Sequence, residues 1–466
     1  MLRLCVVRAS ICAVVLLLNL LDLLLTLVLG VFFFIAKIYS KKDEDKKTIL
    51  VVGGSFAGLH VQRALSHEFD VVLIDYKEYF EYTPGILRCF CNPAHFRSIA
   101  KPLPSRRNRL IVAQLVELRQ GTAIVSNDDV ERKIKFDVCV LATGSKYPCK
   151  PITATLAETD LLSRQQSWDE AAKELREAST VIVLGGGPVG VELAAEIASV
   201  HRSMKVTLVT SGGSLCSNLP VRIGTVALAW LKSHRVDVRF HSRVEKVVTS
   251  DDGGRIVWLY NGQTLHADIV YECMGNGKPN SEALCAHLND SLDVRGRIAV
   301  GHSLQLAHSQ QAAWKTDVEP MCDGSIFAIG DVMYQTPCVP NPYGDELKLG
   351  HTAELNADAA ALNVRHYLRG EQVESYPWAA VGADVVPRVF CVSLGESYGV
   401  MAFNGLVLSG WVPAVAKAVI EWTKVAACAE RPVGILIWKF GDYVTNWISR
   451  KMVLPPPKAL ADDKES

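Results

Sequence analysis

The chain lacks an excess of charge of either sign. Lys plus Arg and Asp plus Glu both number 49 among 466 residues, for a formal net charge of zero. A protein that tracks nucleic acid carries a basic field, so this balance excludes nucleic-acid binding as a main function. Paired cysteines are also lacking. The 13 Cys fall at irregular intervals with no C-x-x-C, which excludes a zinc ribbon and a secreted disulfide framework. No metal is expected, and a reducing compartment is the simpler reading. What the chain does have is length and apolar content: 466 residues, 49% hydrophobic, with 33 Gly, enough for two to three domains with a substantial core.

Residues 11 to 38 are almost wholly apolar, interrupted by Asn19, Asp22 and Lys37, and that length spans a bilayer. Asp22 would cost about 2.5 to 3.5 kcal/mol at the centre of a span, but the surrounding Leu, Ile, Val and Phe, at about −0.3 to −0.6 each, outweigh it. A cleaved signal peptide fits less well. The run is too long and ends in Phe32-Phe-Phe-Ile35 without a small-x-small cleavage site. Lys37, Lys41, Lys42, Lys46 and Lys47 follow the run while Arg3 and Arg8 precede it, so the expectation is a single N-terminal pass with the catalytic part cytosolic.

Thr48-Ile-Leu-Val-Val-Gly-Gly-Ser-Phe-Ala-Gly58 runs a buried strand into a glycine turn and then into a helix. Glycines there let the chain turn tightly and let backbone N–H groups approach a pyrophosphate at the helix N-terminus. Val71-Val-Leu-Ile-Asp75 supplies the second strand of a βαβ unit, ending in the acid that would hold a ribose hydroxyl. One position departs from G-x-G-x-x-G: Ser55 replaces its middle glycine. Thr180-Val-Ile-Val-Leu-Gly-Gly-Gly-Pro-Val-Gly190 repeats the element in full form, so the chain contains an internal duplication. Two such units imply two nucleotides, and for an electron carrier the economical pair is a flavin and a nicotinamide. The second unit's second strand ends in Thr210, where an NAD-selective site would place Asp or Glu, and no Arg follows to attract a 2′-phosphate. Either nicotinamide cofactor fits.

Phe136-Asp-Val-Cys-Val-Leu-Ala-Thr-Gly144, Asp268 to Gly275 and Ser325-Ile-Phe-Ala-Ile-Gly-Asp331 read as further strands ending at glycine, and Leu347 to Leu368 reads as a helix. Beyond Trp411 lie two amphipathic helical stretches. In the second, Gly434 to Arg450, Leu436, Phe440, Tyr443, Val444, Trp447 and Ile448 share one face. Trp422, Trp438 and Trp447 suit a membrane interface.

The motifs V-V-G-G-S-F-A-G, L-A-T-G, V-L-G-G-G-P-V-G-V-E-L-A-A-E and F-A-I-G-D together resemble the two-dinucleotide-binding-domain flavoproteins. Within them, residues 47 to 410 are similar to the ferroptosis-suppressor and apoptosis-inducing-factor-like NAD(P)H:quinone reductases, and next to the type II NADH dehydrogenases. The resemblance implies an α/β fold of two Rossmann-like domains, the second inserted in the first. The FAD domain would take 47–155 with 286–370 and the NAD(P)H domain 156–285, flanked by the anchor at 1–46 and a C-terminal α+β region at 371–466. By motif, Gly53, Gly54, Ser55, Phe56, Ala57, Gly58 and Asp75 would hold the ADP half of FAD, Asp331 its ribityl chain, and Arg88 and Gly144 the flavin side. Gly185, Gly186, Gly187, Pro188, Val189 and Gly190 would hold NAD(P)H, and Glu192 is the candidate catalytic acid beside nicotinamide and flavin. A lipid quinone and a membrane are the implied partners, and a homodimer is compatible with the family.

Two departures stand out. Type II dehydrogenases carry Ala-Gln-x-x-x-Gln after Gly-Asp, whereas this chain has Ala353-Glu354 and Asp358. Ferroptosis-suppressor-type chains begin Met-Gly, as a myristoylation substrate does, whereas this one begins Met1-Leu2. Other readings are a thiol or peroxide reductase using Cys89 or Cys91, disfavoured because C-x-x-x-x-C is absent, and a non-enzymatic signalling flavoprotein.

Overall fold

A computed structural model describes residues 9, 12–26, 46–104, 109–127, 130–251, 253–275, 277–309, 319–336, 346–376 and 388–451. The first glycine-turn strand, Thr48–Val52, lies at the centre of a five-stranded parallel sheet. Asp70–Asp75 pairs on one side of it and Val138–Leu141 on the other. Arg109–Val112 extends the first side, and Ile326–Ala328, arriving after the whole second unit, extends the other. A parallel sheet is covered on both faces, so its strands read as continuous apolar runs rather than alternations. Ile49, Leu50, Val51, Val71 to Ile74 and Val138 to Leu141 are accordingly buried.

The second unit repeats the plan. Thr180–Leu184 lies between Lys205–Val209 and Ile269–Glu272, with Asp237–Arg239 outside, all parallel. Each unit carries a three-stranded antiparallel meander, at 114–135 and at 244–267. Between the units, Ser145–Lys146 pairs with Lys278–Pro279, while Thr143 and Asn280 exchange two hydrogen bonds at 2.6 and 2.8 Å. Arg164, fully buried, holds Glu81 in a fork at 2.7 and 2.9 Å and Glu158 at 3.0 Å. That fork ties the helix Leu161–Glu177 to the first unit.

The C-terminal region is an antiparallel sheet of Val389–Ser393, Gly399–Phe403 and Leu406–Gly410, followed by helices Trp411–Cys428 and Pro432–Lys451. The two helices form a close hairpin. A Cβ at Gly434 would lie 2.5 Å from the Ala426 Cβ, so only glycine permits this approach. The second helix begins at Pro432, two residues before the expected Gly434, because Pro is tolerated where a helix N–H has no partner. Likewise the helix expected at 347–368 runs Gly350–Arg369 and stops at Gly370, whose φ of 68° is a left-handed cap.

Among the described residues no helix is long and apolar enough to cross a membrane. Of the expected span at 11–38, residues 12–26 are helical, and 11 and 27–38 lie outside the described residues.

Candidate active site

The two glycine turns are built alike. Gly53 has φ 109° and Gly185 φ 118°, a backbone region that side chains strain. Each packs against the strand on the far side of its sheet's switch point: a Cβ on Gly53 would lie 2.3 Å from the Ala142 carbonyl oxygen, and one on Gly185 2.4 Å from that of Cys273. The closing glycines are equally constrained. A Cβ on Gly58 would meet the Gly53 oxygen at 1.8 Å, and one on Gly190 the Gly185 oxygen at 2.0 Å. The position between them is open, since nothing approaches within 4 Å of a Cβ added at Gly187. Ser55 occupies the same place in the first turn, and the duplication thus explains why a small hydroxyl is tolerated there.

Beneath the turns lie the two second-strand residues. Asp75 Oδ2 accepts from the Gly54 N–H at 2.6 Å and its Oδ1 from the Lys77 N–H at 3.1 Å. Thr210 stands in the matching place under Gly186 and accepts from the Gly212 N–H through Oγ1 at 3.3 Å. Helices Phe56–Leu65 and Pro188–Val200 then begin with backbone N–H groups directed at the turns.

The Gly330-Asp331 turn is fixed by groups the sequence did not flag. Asn356 Oδ1 accepts from the Gly330 N–H at 2.9 Å, and Lys348 Nζ donates to the carbonyls of Gly330 and Met333 at 3.1 and 2.7 Å. Burial pushes the Asp331 carboxyl above the usual carboxylate range, with Lys348 opposing.

Where the two units meet the C-terminal region, a cleft is lined by Gly85, Arg88, Glu196, Ser393, Lys417 and Glu421, and Glu192 bonds two of these residues. Glu192, 8% exposed, uses a single oxygen for three donors: Ser393 N–H at 2.7 Å, Ser393 Oγ at 3.0 Å and Lys417 Nζ at 2.5 Å. Burial lowers the Lys417 ammonium, but Glu192 outweighs it and the net shift is upward. Arg88 Nη2 lies 3.5 Å from Glu196 Oε1, and the buried Arg88 Nε has no partner among the described residues. Glu421 feels burial first, yet His95, 3.3 Å away, with Arg88 and Lys417, holds its carboxyl below the usual range. Sequence reading missed Ser393, Lys417, Glu421 and His95, which no motif marks.

A second cavity lies between the helix Phe56–Leu65 and the C-terminal hairpin, lined by Phe56, His60, Arg63, Glu354, Lys424 and Trp438. The acids that depart from the dehydrogenase pattern have basic side chains facing them here. Glu354 bonds Lys424, and Asp358 lies 2.7 Å from His60 Nε2. Lys424, lowered by burial against the pull of Glu354, stands 3.2 Å over the Trp438 ring. Trp438 thus packs against this pair.

Residues 47–356 match the sequence pattern of the pyridine nucleotide-disulphide oxidoreductases. The chain belongs to that family. As a member it is an FAD- and NAD(P)H-dependent oxidoreductase. Ferroptosis suppressor protein 1 of Xenopus tropicalis is 26% identical over 384 residues, covering 80% of this chain and 93% of that protein. Apoptosis-inducing factor homolog A of Dictyostelium discoideum is 23% identical over 386 residues, covering 78% and 86%. The fold is shared with sulfide:quinone oxidoreductase of Aquifex aeolicus, at TM-score 0.62, 18% identity and coverage of 82% and 92%. NDH2 of Plasmodium falciparum, solved with NADH, gives TM-score 0.59, 12% identity and coverage of 87% and 98%.

The family name includes disulphide chemistry, which Cys89 and Cys91 are poorly placed to perform. Cys89 is buried and Cys91 half-buried, and burial pushes both thiols well above their ordinary range. Reactive cysteines are shifted the other way. The FAD fit rests on the first turn being built like the second, whose Gly187 is open, on Gly144, where an added Cβ meets nothing within 4 Å, and on the orphaned Arg88 Nε.

Proposed function

We propose that the chain is a membrane-apposed NAD(P)H:quinone oxidoreductase. Residues 47–155 with 286–370 hold FAD, residues 156–285 hold NAD(P)H, and 371–466 face the bilayer. When bound, FAD supplies the two-electron relay between nicotinamide and quinone. The first turn, Gly53 to Gly58, presents backbone N–H groups to a pyrophosphate, Asp75 accepts from a ribose hydroxyl, and Asp331 and Gly144 bracket the ribityl and flavin side. Gly185 to Gly190, with Pro188 and Val189 opening the helix, do the same for NAD(P)H.

Glu192 is the proposed catalytic residue. With Oε1 committed to Ser393 and Lys417, its other oxygen is left to orient the nicotinamide carboxamide. Arg88, through its unpaired Nε, donates toward the flavin edge.

One observation carries the quinone assignment. The cavity from Phe56 to Trp438 runs along the FAD-side helix to a hairpin whose outer face is apolar and bare, with Leu436, Phe440, Tyr443 and Trp447 exposed. A lipid quinone is the acceptor that such a route serves, and the upward-shifted thiols disfavour a thiol acceptor. The relatives named for ferroptosis suppression and the fold shared with a sulfide:quinone oxidoreductase support the reading. Steady-state oxidation of NADH and NADPH with a short-chain quinone tests it. Turnover coupled to quinol formation is expected, and flavin reduction without quinone turnover would overturn it.

A further inference from the structure

Asn19 and Asp22 interrupt an apolar run three residues apart, so on the helix at 12–26 they share one face. The structure gives that face a partner. Asn19 Oδ1 accepts from Trp422 Nε1 and from Arg431 Nη1, each at 3.3 Å. Asp22, 5% exposed, accepts from the Val433 N–H at 3.2 Å and lies 3.7 Å from Arg431 Nε. Val433 is the second residue of the helix Pro432–Lys451, where N–H groups have no partner within the helix. Asp22 therefore caps that helix from another element, with its charge at the positive end of the dipole.

The other faces of the 12–26 helix are bare. Leu16, Leu17, Leu20, Leu21, Leu23 and Leu24 are 46 to 72% exposed. On the hairpin to which it is joined, Leu436, Phe440, Tyr443 and Trp447 are 54 to 68% exposed. Exposed apolar surface on this scale, edged by aromatics, marks an interaction face.

We propose that Asn19 and Asp22 clasp the N-terminal apolar helix to the C-terminal hairpin, and that the three helices dock as one unit into the surface of an anionic lipid bilayer. An unpaired carboxylate in hydrocarbon is costly, and an independent span would gain by losing Asp22. The clasp reverses that logic, because the pair with Arg431 satisfies the charge at the protein side while the leucines meet lipid. Charge complementarity selects the occupant. Lys37, Lys41, Lys42, Lys46 and Lys47 follow the helix in sequence against Asp43, Glu44 and Asp45, with Lys47 held by Asp137, and the net basic flank that remains favours anionic headgroups. The lipid half of this proposal rests on the membrane-apposed reading above, whereas the clasp stands without it.

The test uses full-length, flavin-loaded protein with Asp22→Arg, Arg431→Asp, the Asp22→Arg/Arg431→Asp swap, and Asp22→Leu. Flavin content confirms folding. Thermal unfolding without lipid reads the clasp: each single charge reversal should lower the midpoint and the swap should recover most of it. Co-sedimentation with phosphatidylcholine vesicles containing phosphatidylserine reads the docking. Retention should fall at least tenfold in the single reversals and in Asp22→Leu, and return in the swap. Singles indistinguishable from wild type, or a swap no better than the singles, would overturn the clasp. Tighter retention of Asp22→Leu would identify an independent span and overturn it too. A clasp that passes the unfolding test in a wild-type protein that ignores vesicles would overturn the lipid assignment, and a concentration-dependent dimer in that case would give the face to a second copy.

Discussion

Replacing Lys417 by Met leaves the Glu192 carboxylate without its ammonium while keeping an unbranched side chain one atom shorter. The pair is 2.5 Å apart, and the two side chains are 15% and 10% exposed. Breaking a buried pair by removing one partner costs about 3 to 5 kcal/mol. Here the loss is softened because Ser393 still donates twice to the same oxygen. A net loss of about 2 to 3 kcal/mol is expected, each such bond to a charge being worth about 1.5 to 3 kcal/mol. The assay is urea unfolding, read as a lower midpoint at unchanged slope. A cycle with Glu192→Gln isolates the pair, and Lys417→Met in that background should cost much less. The pH dependence carries a sign. The Lys417 pKa is raised above its ordinary 10.5 on folding, so its contribution is fully present below 10.5 and is lost as pH rises through the folded value. The gap between wild type and Lys417→Met should be flat through neutral pH and narrow in strong alkali. A loss below about 0.5 kcal/mol, the usual size of a surface substitution, would refute the reasoning, as would an equal loss in the Glu192→Gln background.

Asp331→Ala should release flavin on gel filtration, since a charge-assisted hydrogen bond worth about 1.5 to 3 kcal/mol is removed; full flavin occupancy would count against the Gly-Asp assignment. NADH and NADPH should support turnover within about tenfold of each other, because Thr210 neither repels nor attracts a 2′-phosphate; a preference beyond about a hundredfold would show that another residue reads that position. Arg164→Met should destabilise the fold by about 3 to 5 kcal/mol by leaving Glu81 and Glu158 buried and unpaired, seen as a lowered thermal midpoint. An unchanged midpoint would mean that the fork contributes little.

The parts of the fold that were legible in the sequence are those whose physics is local. The strands at 48–52 and 180–184 are unbroken apolar runs closed by glycine, and the duplication made each a check on the other. Ser55 looked like a defect until Gly187 showed that its position has room. Residues whose roles depend on distant partners were not legible. Glu192 is 225 residues from Lys417, Glu354 is 70 from Lys424, and Asn19 is 403 from Trp422. Trp422 and Trp438 suit an interface by residue type alone, and only packing shows that Lys424 stands over the Trp438 ring. The same limit made Asp22 read as a cost to insertion, whereas its partners come from the other end of the chain.

The central claim is that electrons travel from NAD(P)H through flavin to a quinone held in lipid. It is tested most directly by stopped-flow spectroscopy of the flavin-loaded protein on anionic vesicles, with and without a long-chain quinone. Without oxygen, NADH or NADPH should bleach the flavin in both cases. With quinone in the bilayer, the flavin should reoxidise at a rate that scales with quinone content. A flavin that stays reduced against that quinone, yet is reoxidised by a disulfide or peroxide, would contradict the account.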